Sequence, residues 1–446
     1  MSLAEVERSL DVQEAGRRMH AFAARAFPIV RSITGDGMRQ TLALIRERVP
    51  LRIHEVPTGT PVLDWTVPPE WNLREAWIAD STGRRIVDLA ASSLHVVGYS
   101  TPVRARMSLA ELRPHLHSLP SQPSLVPYRT AYYEPAWGFC LTHRQLEGLK
   151  DGEYEVCIDS TLAPGSLTYG ELVIPGELED EVLLSCHSCH PALANDNLSG
   201  MAVAALLAES LAGRKLRYSY RFLFIPGTIG SITWLARNPD AVGRIRHGLV
   251  LTCVGDPGDS TYKRSRRGDA EIDRVAVHVL SHAGSGYAVQ DFFPYGYDER
   301  QYCSPGYDLA VGCLMRSPHG RFPEYHTSAD NLDFITPAAL GDSFVKLVRI
   351  LRILEENRTY RSCHPYGEPQ LGRRGLYKAV GGQPDTPDRQ MSMLWALNLA
   401  DGRHSLLDMA ERAALPFALM QETAELLVQH GLLREIGSGG SGGAAT

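Results

Sequence analysis

The chain has 446 residues, 44% of them hydrophobic and 22% charged, and a formal net charge of -6 at pH 7. The small negative charge argues against a dedicated nucleic-acid binder, and no apolar run approaches the length of a membrane span. Eight dispersed cysteines indicate reduced thiols rather than a disulfide scaffold. Because the N-terminus also lacks a signal-peptide core, we expect a cytoplasmic protein with no nucleic-acid or membrane partner.

The first part of the chain combines a helical start with a strand-rich segment. Helical periodicity covers residues 6–27 and 37–49, and residues 51–56 favour a strand. Short strand candidates follow at 77–79, 85–89 and 95–99, separated by turn-forming residues and accompanied by tryptophans. This pattern predicts an inserted β-rich domain over residues 61–164.

Strands and helices alternate through the middle of the chain. Strands are predicted at 154–158, 170–175, 182–184, 216–225, 247–253, 275–280 and 309–315, and helices at 198–211 and 337–356. This alternation favours a mixed or parallel sheet with helices on both faces. The predicted fold class is therefore α/β, with residues 1–60 and 165–362 forming the main domain.

A Pro- and Gly-rich linker at 363–388 precedes three amphipathic segments at 393–399, 405–415 and 417–430. They predict a winged-helix-like domain over 389–436, followed by a flexible tail at 437–446. This domain has four arginines and six acidic residues, whereas a surface that binds phosphates needs the opposite balance. We expect it to serve docking or dimerisation, the latter giving a homo-oligomer.

Four polar residues from separate segments are candidate metal ligands. His187 follows a strand, Asp196 lies on the next loop, Asp256 follows a later strand, and His326 lies in a polar loop. Reactive groups in open α/β sheets gather beyond the carboxyl ends of strands, and this donor set suits zinc with an open position for water. Without further context, turn and capping roles for the histidines and Asp196 are equally supported.

Several stretches in one order carry a family resemblance: RSITGDGMRQTL, DWTVPPEWNLREAWI, SLHVVGYS, CHPALANDNLSG, YGYDERQYCSPGYDL and PEYHTSADN. The order His, Asp-Asn-x-Ser-Gly, Asp, Tyr-His-Thr resembles zinc aminopeptidases of the M28 type. The closer resemblance is to bacterial aminopeptidase-like proteins with an inserted small domain and a C-terminal winged helix. It implies a zinc-aminopeptidase-like mixed sheet flanked by helices.

The resemblance also implies the roles of individual residues. Tyr325 would donate a hydrogen bond to the oxyanion of a tetrahedral intermediate. Thr228 replaces a carboxylate of the second metal position, so one zinc ion is favoured over two. Whether His190 rather than His187 is a ligand stays open. The implied metal ligands are His187, Asp196, Asp256 and His326.

Two departures from the M28 pattern concern residues around the metal. Cys189 replaces the Asp that orients the first His, and Gly227 stands where the general-base Glu is expected. We expect an empty volume beside Gly227, and Gly227→Glu to raise hydrolysis by about 10² or more if the base limits the rate. Glu299, Glu324 and His190 are alternative bases, each with an equally supported structural role.

The function implied by the resemblance is hydrolysis at an N-terminal or N-acyl amino acid of a small peptide or peptide-like metabolite, impaired by Gly227. An engineered change, a natural loss of hydrolysis and a base supplied elsewhere each explain this glycine. A catalytically silent zinc- or ligand-binding protein and a zinc-assisted acyl transferase or cyclase are the alternatives. Cys186 and Cys189, which alternate with His187 and His190 along the chain, also permit a soft zinc cluster.

Overall fold

The computed structural model describes residues 3–376 and 386–436, so the predicted tail at 437–446 and part of the linker lie outside the described residues. The chain divides into two compact units. One comprises Met1–Asp273 with Ser285–Val348, and the other comprises Arg274–Gly284 with Arg349–Thr446. None of the described helices combines the length and apolar character needed to cross a bilayer.

The strands of the described residues follow in chain order: β1 Arg52–Pro57, β2 Pro61–Val62, β3 Trp65–Thr66, β4 Glu70–Ala79, β5 Arg85–Asp88, β6 Val103–Ser108, β7 Leu116–His117, β8 Phe139–Cys140, β9 Glu153–Ala163, β10 Ser166–Ile174, β11 Glu181–His187, β12 Ser219–Ile225, β13 Ile245–Leu251, β14 Ser260–Lys263, β15 Tyr287–Gln290, β16 Val311–Met315, β17 Thr359–Ser362, β18 Asp401–Ser405 and β19 Leu433–Ile436.

The α-helices follow in the same way: α1 Leu3–Ser9, α2 Val12–Ala26, α3 Asp36–Arg46, α4 Leu109–Leu112, α5 His143–Glu147, α6 Gly200–Leu211, α7 Ile229–Arg237, α8 Pro239–Arg244, α9 Glu271–Ser281, α10 Glu299–Tyr302, α11 Pro337–Glu356, α12 Thr386–Leu399, α13 Leu406–Ala413 and α14 Phe417–Gln429. An irregular segment, Ala194–Ser199, with non-helical backbone angles at Asp196 and Asn197, leads directly into α6.

The main unit is built on an eight-stranded mixed sheet in the order β1-β10-β12-β11-β13-β16-β14-β15. Its central strands β12, β11, β13 and β16 run parallel, while β1, β10 and β14 pair antiparallel. Every residue of β11 and β12 is buried, as expected for parallel strands covered on both faces. Helix α6 packs on β11, β12 and β13.

The predicted α/β fold class, with a mixed sheet flanked by helices, is confirmed. The strand prediction at 275–280 is wrong, because these residues lie in α9. Its β-branched residues favoured a strand, yet Ile272, Val275, Ala276 and Val279 follow helical spacing and are buried. The prediction at 95–99 is also wrong, since the 3₁₀ turn Ser93–His95 ends at the first of these residues and isolated bridges at Val96 and Gly98 follow instead of a strand.

A second sheet of the main unit forms within residues 70–163. Its strand order is β5-β4-β9-β6, with antiparallel pairing throughout. One of its faces packs on its own apolar cluster, which includes Ile78, Leu112, Phe139 and Val156. The second sheet therefore has a core of its own within the main unit.

The other unit contains a three-stranded antiparallel sheet in the order β18-β17-β19 together with α12, α13 and α14. A capping box begins α13, in which the Ser405 hydroxyl and the Asp408 carboxylate each bond the other's backbone N–H. The predicted C-terminal winged helix agrees with this arrangement of helices and strands.

His278 on α9 gives this second unit a pH-dependent stability. Its Nε2 accepts a hydrogen bond from the Phe417 backbone N–H at 3.1 Å. Burial, assisted by the charge of His282, lowers the pKa of His278 from 6.5 to about 4. Because the folded-state pKa is depressed, the stabilisation is complete above pH 6.5 and is lost as the pH falls toward 4.

We expect the free energy of unfolding of this unit to decrease by about 1 to 2 kcal/mol between pH 7 and pH 5. His278→Gln keeps an acceptor that does not titrate and should remove most of this dependence. Hydrogen exchange of peptides from α14 in the full chain, corrected for the intrinsic exchange rate at each pH, measures the effect. Equal protection at both pH values in the wild type would contradict the assignment.

Candidate metal centre

The candidate site lies where the four central parallel strands end. Strand β11 ends at His187 itself, and the loops after β12, β13 and β16 contain Gly227, Cys253 and His319, respectively. Because the carboxyl ends of parallel strands meet at one edge of a sheet, polar residues after them converge. The sequence predicted this edge correctly, although His187 is the last strand residue rather than the first residue after the strand.

Asp196 is the centre of the site and is completely buried. Its Oδ1 lies 2.7 Å from His187 Nε2, and its Oδ2 lies 3.0 Å from His326 Nε2. Burial alone would raise the pKa of Asp196, but the charges of His190 and His187 and the two imidazole hydrogen bonds lower it well below its usual value. The ion-pair partners that the described residues offer this carboxylate are therefore imidazoles.

Two groups of donor atoms share Asp196. In the first group, His187, His190 and Asp196 each offer a ligand atom within 4.8 Å of the others, and in the second Cys253 and His319 do so with Asp196. Burial lowers the pKa of His190 well below its ordinary value, against the charge of Asp196, and this direction favours the neutral form of the ring that metal binding requires. Nitrogen, oxygen and sulfur donors around one buried carboxylate fit zinc.

Asp330 fixes the backbone that presents Asp196. Its Oδ1 accepts from the Asn195 N–H at 2.5 Å and its Oδ2 from the Asp196 N–H at 3.0 Å. Asp330 lies in the stretch PEYHTSADN but had no predicted role, because the sequence gives no sign that its loop returns to Asn195 and Asp196. The structure makes it a positioning residue for the central carboxylate.

Left-handed backbone conformations are concentrated around the site. The φ angles are 43° at Ala192, 62° at Thr228, 49° at Cys253 and 55° at His326. For residues other than glycine such conformations cost about 1 to 3 kcal/mol each and persist only where the surrounding contacts impose them. The site is therefore built on strained loops held by the rigid sheet.

Asp256, a predicted ligand, is not brought together with the other three. Its Oδ1 accepts from Ser317 Oγ at 2.7 Å and the Gly258 N–H at 2.8 Å. Its Oδ2 accepts from Asn195 Nδ2 at 2.9 Å and the Ser317 N–H at 3.1 Å. Both oxygens are thus engaged in holding loops together, and Asp256 belongs to neither donor group.

The expectation of an empty volume beside Gly227 is wrong, because the ring of Tyr297 fills this space. A Cβ atom on Gly227 would lie 2.1 Å from Tyr297 Oη and 2.2 Å from its Cε1. The same ring stacks on His187 with centroids 3.7 Å apart, and its hydroxyl lies 3.5 Å from His190 Nδ1. Tyr297 therefore occupies the space that a side chain at position 227 would need.

The strained residue of this loop is Thr228 rather than Gly227, whose φ is not in the left-handed region. The Gly227 N–H donates to Cys189 Sγ at 3.3 Å, so Cys189 braces the loop after β12. Neither Cys186 nor Cys189 belongs to a donor group. The geometry gives no support to the soft zinc cluster that their spacing permitted.

Glu299, the alternative base, forms a buried ion pair. Its Oε1 lies 2.8 Å from Lys263 Nζ, with both side chains at most 1% exposed. Its two oxygens also accept from the Tyr297 backbone N–H at 3.2 and 3.1 Å. Glu299 thus positions Tyr297, and the structure does not bring its carboxylate to Asp196.

We expect Glu299→Gln to lower the free energy of unfolding by about 3 to 5 kcal/mol, because Lys263 would keep a buried charge without its partner. Removing both charges, in Lys263→Met with Glu299→Leu, should recover most of this loss. Urea unfolding of the two variants measures the difference. If Glu299→Gln abolished hydrolysis at unchanged stability, a catalytic role would replace the structural one.

Asp298 is a candidate residue that the sequence analysis did not single out. Its Oδ1 accepts from the Thr228 N–H at 2.7 Å and from Ser231 Oγ at 2.9 Å, whereas its buried Oδ2 has no hydrogen-bond partner among the described residues. Burial raises the pKa of Asp298 to about 6, against the opposing charge of His187. The only earlier signal was its place in a polar loop.

Residues 126–128, part of the predicted insert, brace the loop that carries His326. The Tyr128 N–H donates to the His326 carbonyl and the Ser328 N–H donates to the Val126 carbonyl, both at 2.8 Å. The Tyr128 ring meets the His326 ring edge-on at 5.1 Å. Tyr325 stacks on His326 with ring centroids 3.9 Å apart, so the predicted oxyanion donor lies beside the imidazole that contacts Asp196.

The fold and the donor groups define an aminopeptidase-like protein with a C-terminal winged helix. A zinc aminopeptidase from Bacillus subtilis is 13% identical, with a TM-score of 0.54 over 75% of this chain and 93% of that one. A peptidase M28 precursor from Shewanella amazonensis is 12% identical, with a TM-score of 0.54 over 79% and 95%. At these identities the likeness concerns the fold, and it confirms the predicted aminopeptidase-like architecture.

The chain belongs to the family described as Domain of unknown function (DUF4910), whose model matches residues 20–357, and a winged helix-turn-helix model matches residues 358–435. It is 50% identical to a Clostridium acetobutylicum protein named for polysaccharide biosynthesis and an aminopeptidase-like domain, over 94% of this chain and 97% of that protein. A Clostridium acetobutylicum crystal structure described as a peptidase is 47% identical, with a TM-score of 0.93 over 98% and 100%.

Proposed function

We propose that the chain is a zinc-dependent aminopeptidase-like hydrolase that cleaves an amide bond at an N-terminal or N-acyl amino acid of a small peptide or peptide-like metabolite. The observation that supports this most is the buried carboxylate of Asp196 between the imidazoles of His187 and His326. It lies at the edge of the sheet where an aminopeptidase-like fold gathers its reactive groups.

Each residue of the site has a separate part in this reaction. Zinc supplies polarisation of the scissile carbonyl and activation of water when it is bound, and His187, His190, Asp196 and His326 are the residues that would hold it. Asp196 contributes negative charge, since the imidazoles around it keep its pKa low. Tyr325 presents its phenol beside His326, where it can donate to a developing oxyanion.

Amide hydrolysis also requires a group that accepts a proton from water. Gly227 has none, and burial raises the pKa of the Tyr297 phenol well above its usual value. Beside this loop, Asp298 offers a carboxylate oxygen without a hydrogen-bond partner among the described residues. Because a well-placed general base contributes about 10² to 10⁴ in rate, we expect turnover to be slow by comparison with enzymes that have one.

A second candidate function is amide hydrolysis on a sugar-bearing substrate. A cavity of about 430 Å³ is lined by His319, which belongs to a donor group with Asp196, and by Phe293, Tyr295 and Arg321. Aromatic faces next to polar groups can hold a sugar ring. The Clostridium acetobutylicum relative named for polysaccharide biosynthesis favours such a substrate, and an N-acyl amino sugar carries the required amide bond.

The experiment that tests the proposal is a turnover assay on metal-free and zinc-loaded full chain. Amino-acid amides, N-acyl amino acids and N-acyl amino sugars form separate panels, with the released amine detected by mass spectrometry. Zinc-dependent release from the first two panels, lost in His326→Ala, supports the peptide-like substrate, and release confined to the third supports the sugar. Zinc binding without turnover on any panel would replace both with a silent binding role.

A further inference from the structure

Cys253 lies directly beyond the end of β13, at the edge of the sheet that carries Asp196. It is completely buried, and its Sγ lies within 4.8 Å of a carboxylate oxygen of Asp196 and of a ring nitrogen of His319. A buried cysteine most often acts as a small apolar residue. Around Cys253, however, the carboxylate of Asp196 and the imidazole of His319 both approach the sulfur. Such surroundings are typical of a cysteine that binds a metal ion.

The loop that carries Cys253 is held in place by hydrogen bonds at each of its residues. The Val254 N–H donates to Ser199 Oγ at 3.0 Å and the Gly255 N–H donates to Asn195 Oδ1 at 2.9 Å. The Cys253 carbonyl accepts from the Arg316 N–H at 2.8 Å. These contacts support its left-handed φ of 49° and fix the sulfur near Asp196, as a preorganised ligand requires.

The Thr252 hydroxyl orients both partners of this group. Its Oγ1 lies 3.2 Å from His319 Nε2 and 3.6 Å from Cys253 Sγ. Outer hydrogen bonds of this kind fix the ring orientation and tautomer of a metal-binding histidine. The ring of His319 also faces that of Tyr297, with centroids 6.1 Å apart and an interplanar angle of 24°.

We propose that Cys253 is a metal ligand, and that its thiolate and the imidazole of His319 bind a zinc-type ion which shares Asp196 with the His187 group. Sulfur, nitrogen and oxygen donors from three separate segments are a zinc donor set. When the metal–sulfur bond forms, the thiol proton passes to solvent. The ligand from the loop after β13 is then Cys253, while Asp256 holds that loop through Ser317.

Cobalt absorption of the full chain tests this inference without any substrate. Metal-free protein titrated with Co²⁺ under reducing conditions should develop a thiolate-to-cobalt charge-transfer band in the near ultraviolet. Cys253→Ser should lose the band, and His319→Ala should weaken the Co²⁺ affinity that it reports by at least about 10-fold. Cys189→Ser is the matched control, because Cys189 is buried beside His190 and lies outside both donor groups.

A band that is absent from the wild type, persists in Cys253→Ser or disappears in Cys189→Ser alone would overturn the assignment. Circular dichroism establishes that each variant is folded. If Cys253→Ser does not fold, alkylation of the wild type replaces it: Zn²⁺ should slow the modification of Cys253 and leave that of Cys313 unchanged. The inference concerns the same site as the proposed hydrolase, but a band without turnover would refute only the hydrolase.

Discussion

Asp196→Asn is expected to release zinc, whereas Asp256→Asn is expected to retain it. The first change removes the one carboxylate that both donor groups share and the negative charge between His187 and His326. The loss in zinc affinity should exceed the range of about 10- to 100-fold that is typical for outer-shell partners. Equilibrium dialysis with metal analysis of purified full-length variants measures it.

Asp256→Asn is the matched control, since the amide has the same shape and Asp256 accepts hydrogen bonds on both oxygens without belonging to a donor group. An amide can accept on one atom only, so this variant should lose stability by about 1 to 3 kcal/mol while it keeps zinc. Zinc loss in folded Asp256→Asn would restore the ligand set implied by the family resemblance. Zinc retention in Asp196→Asn would contradict the central role of Asp196.

The sequence predicted the parts of the fold that local patterns determine. Continuous apolar runs predicted β11, β12, β13 and β16, and helical periodicity predicted the long helix α11; all five are present in the structure. Helix α9 was missed because β-branched residues are enriched in strands, while the burial of Ile272 and Val275 on one helical face decides the outcome. In α9 the strand propensity of the β-branched residues competed with the helical spacing of the apolar residues, and the helical spacing determined the structure.

The candidate site was predictable only where a candidate ligand lies next to a strand or within a motif. His187 and Asp196 have such signals, and the structure brings them together with His326. Asp330, His319 and Tyr297 lie on loops whose return to the site is set by long-range packing, for which the sequence has no local pattern. The geometry at Gly227 is one example, because its neighbour Tyr297 comes from a distant loop.

Gly227→Glu is therefore expected to damage the protein rather than to restore a base. Its Cβ would lie 2.1 Å from Tyr297 Oη. That ring is itself packed on His187, and the Tyr297 backbone N–H donates to the carboxylate of Glu299. Overpacking a well-filled site costs about 1 to 3 kcal/mol, occasionally more. The single variant should thus unfold at lower urea concentration, bind zinc more weakly and hydrolyse no faster than the wild type.

Removing the obstructing ring should reverse this outcome. In Gly227→Glu with Tyr297→Gly, the new carboxylate can occupy the space of the phenol, beside the imidazole of His187, and stability should return toward that of Tyr297→Gly alone. If the missing base limits the reaction, hydrolysis should rise by about 10² over the Tyr297→Gly control. Urea unfolding and amide turnover of the three variants separate packing from chemistry. A single Gly227→Glu variant that is stable and faster than the wild type would show that Tyr297 leaves this space freely, and the packing argument would fail.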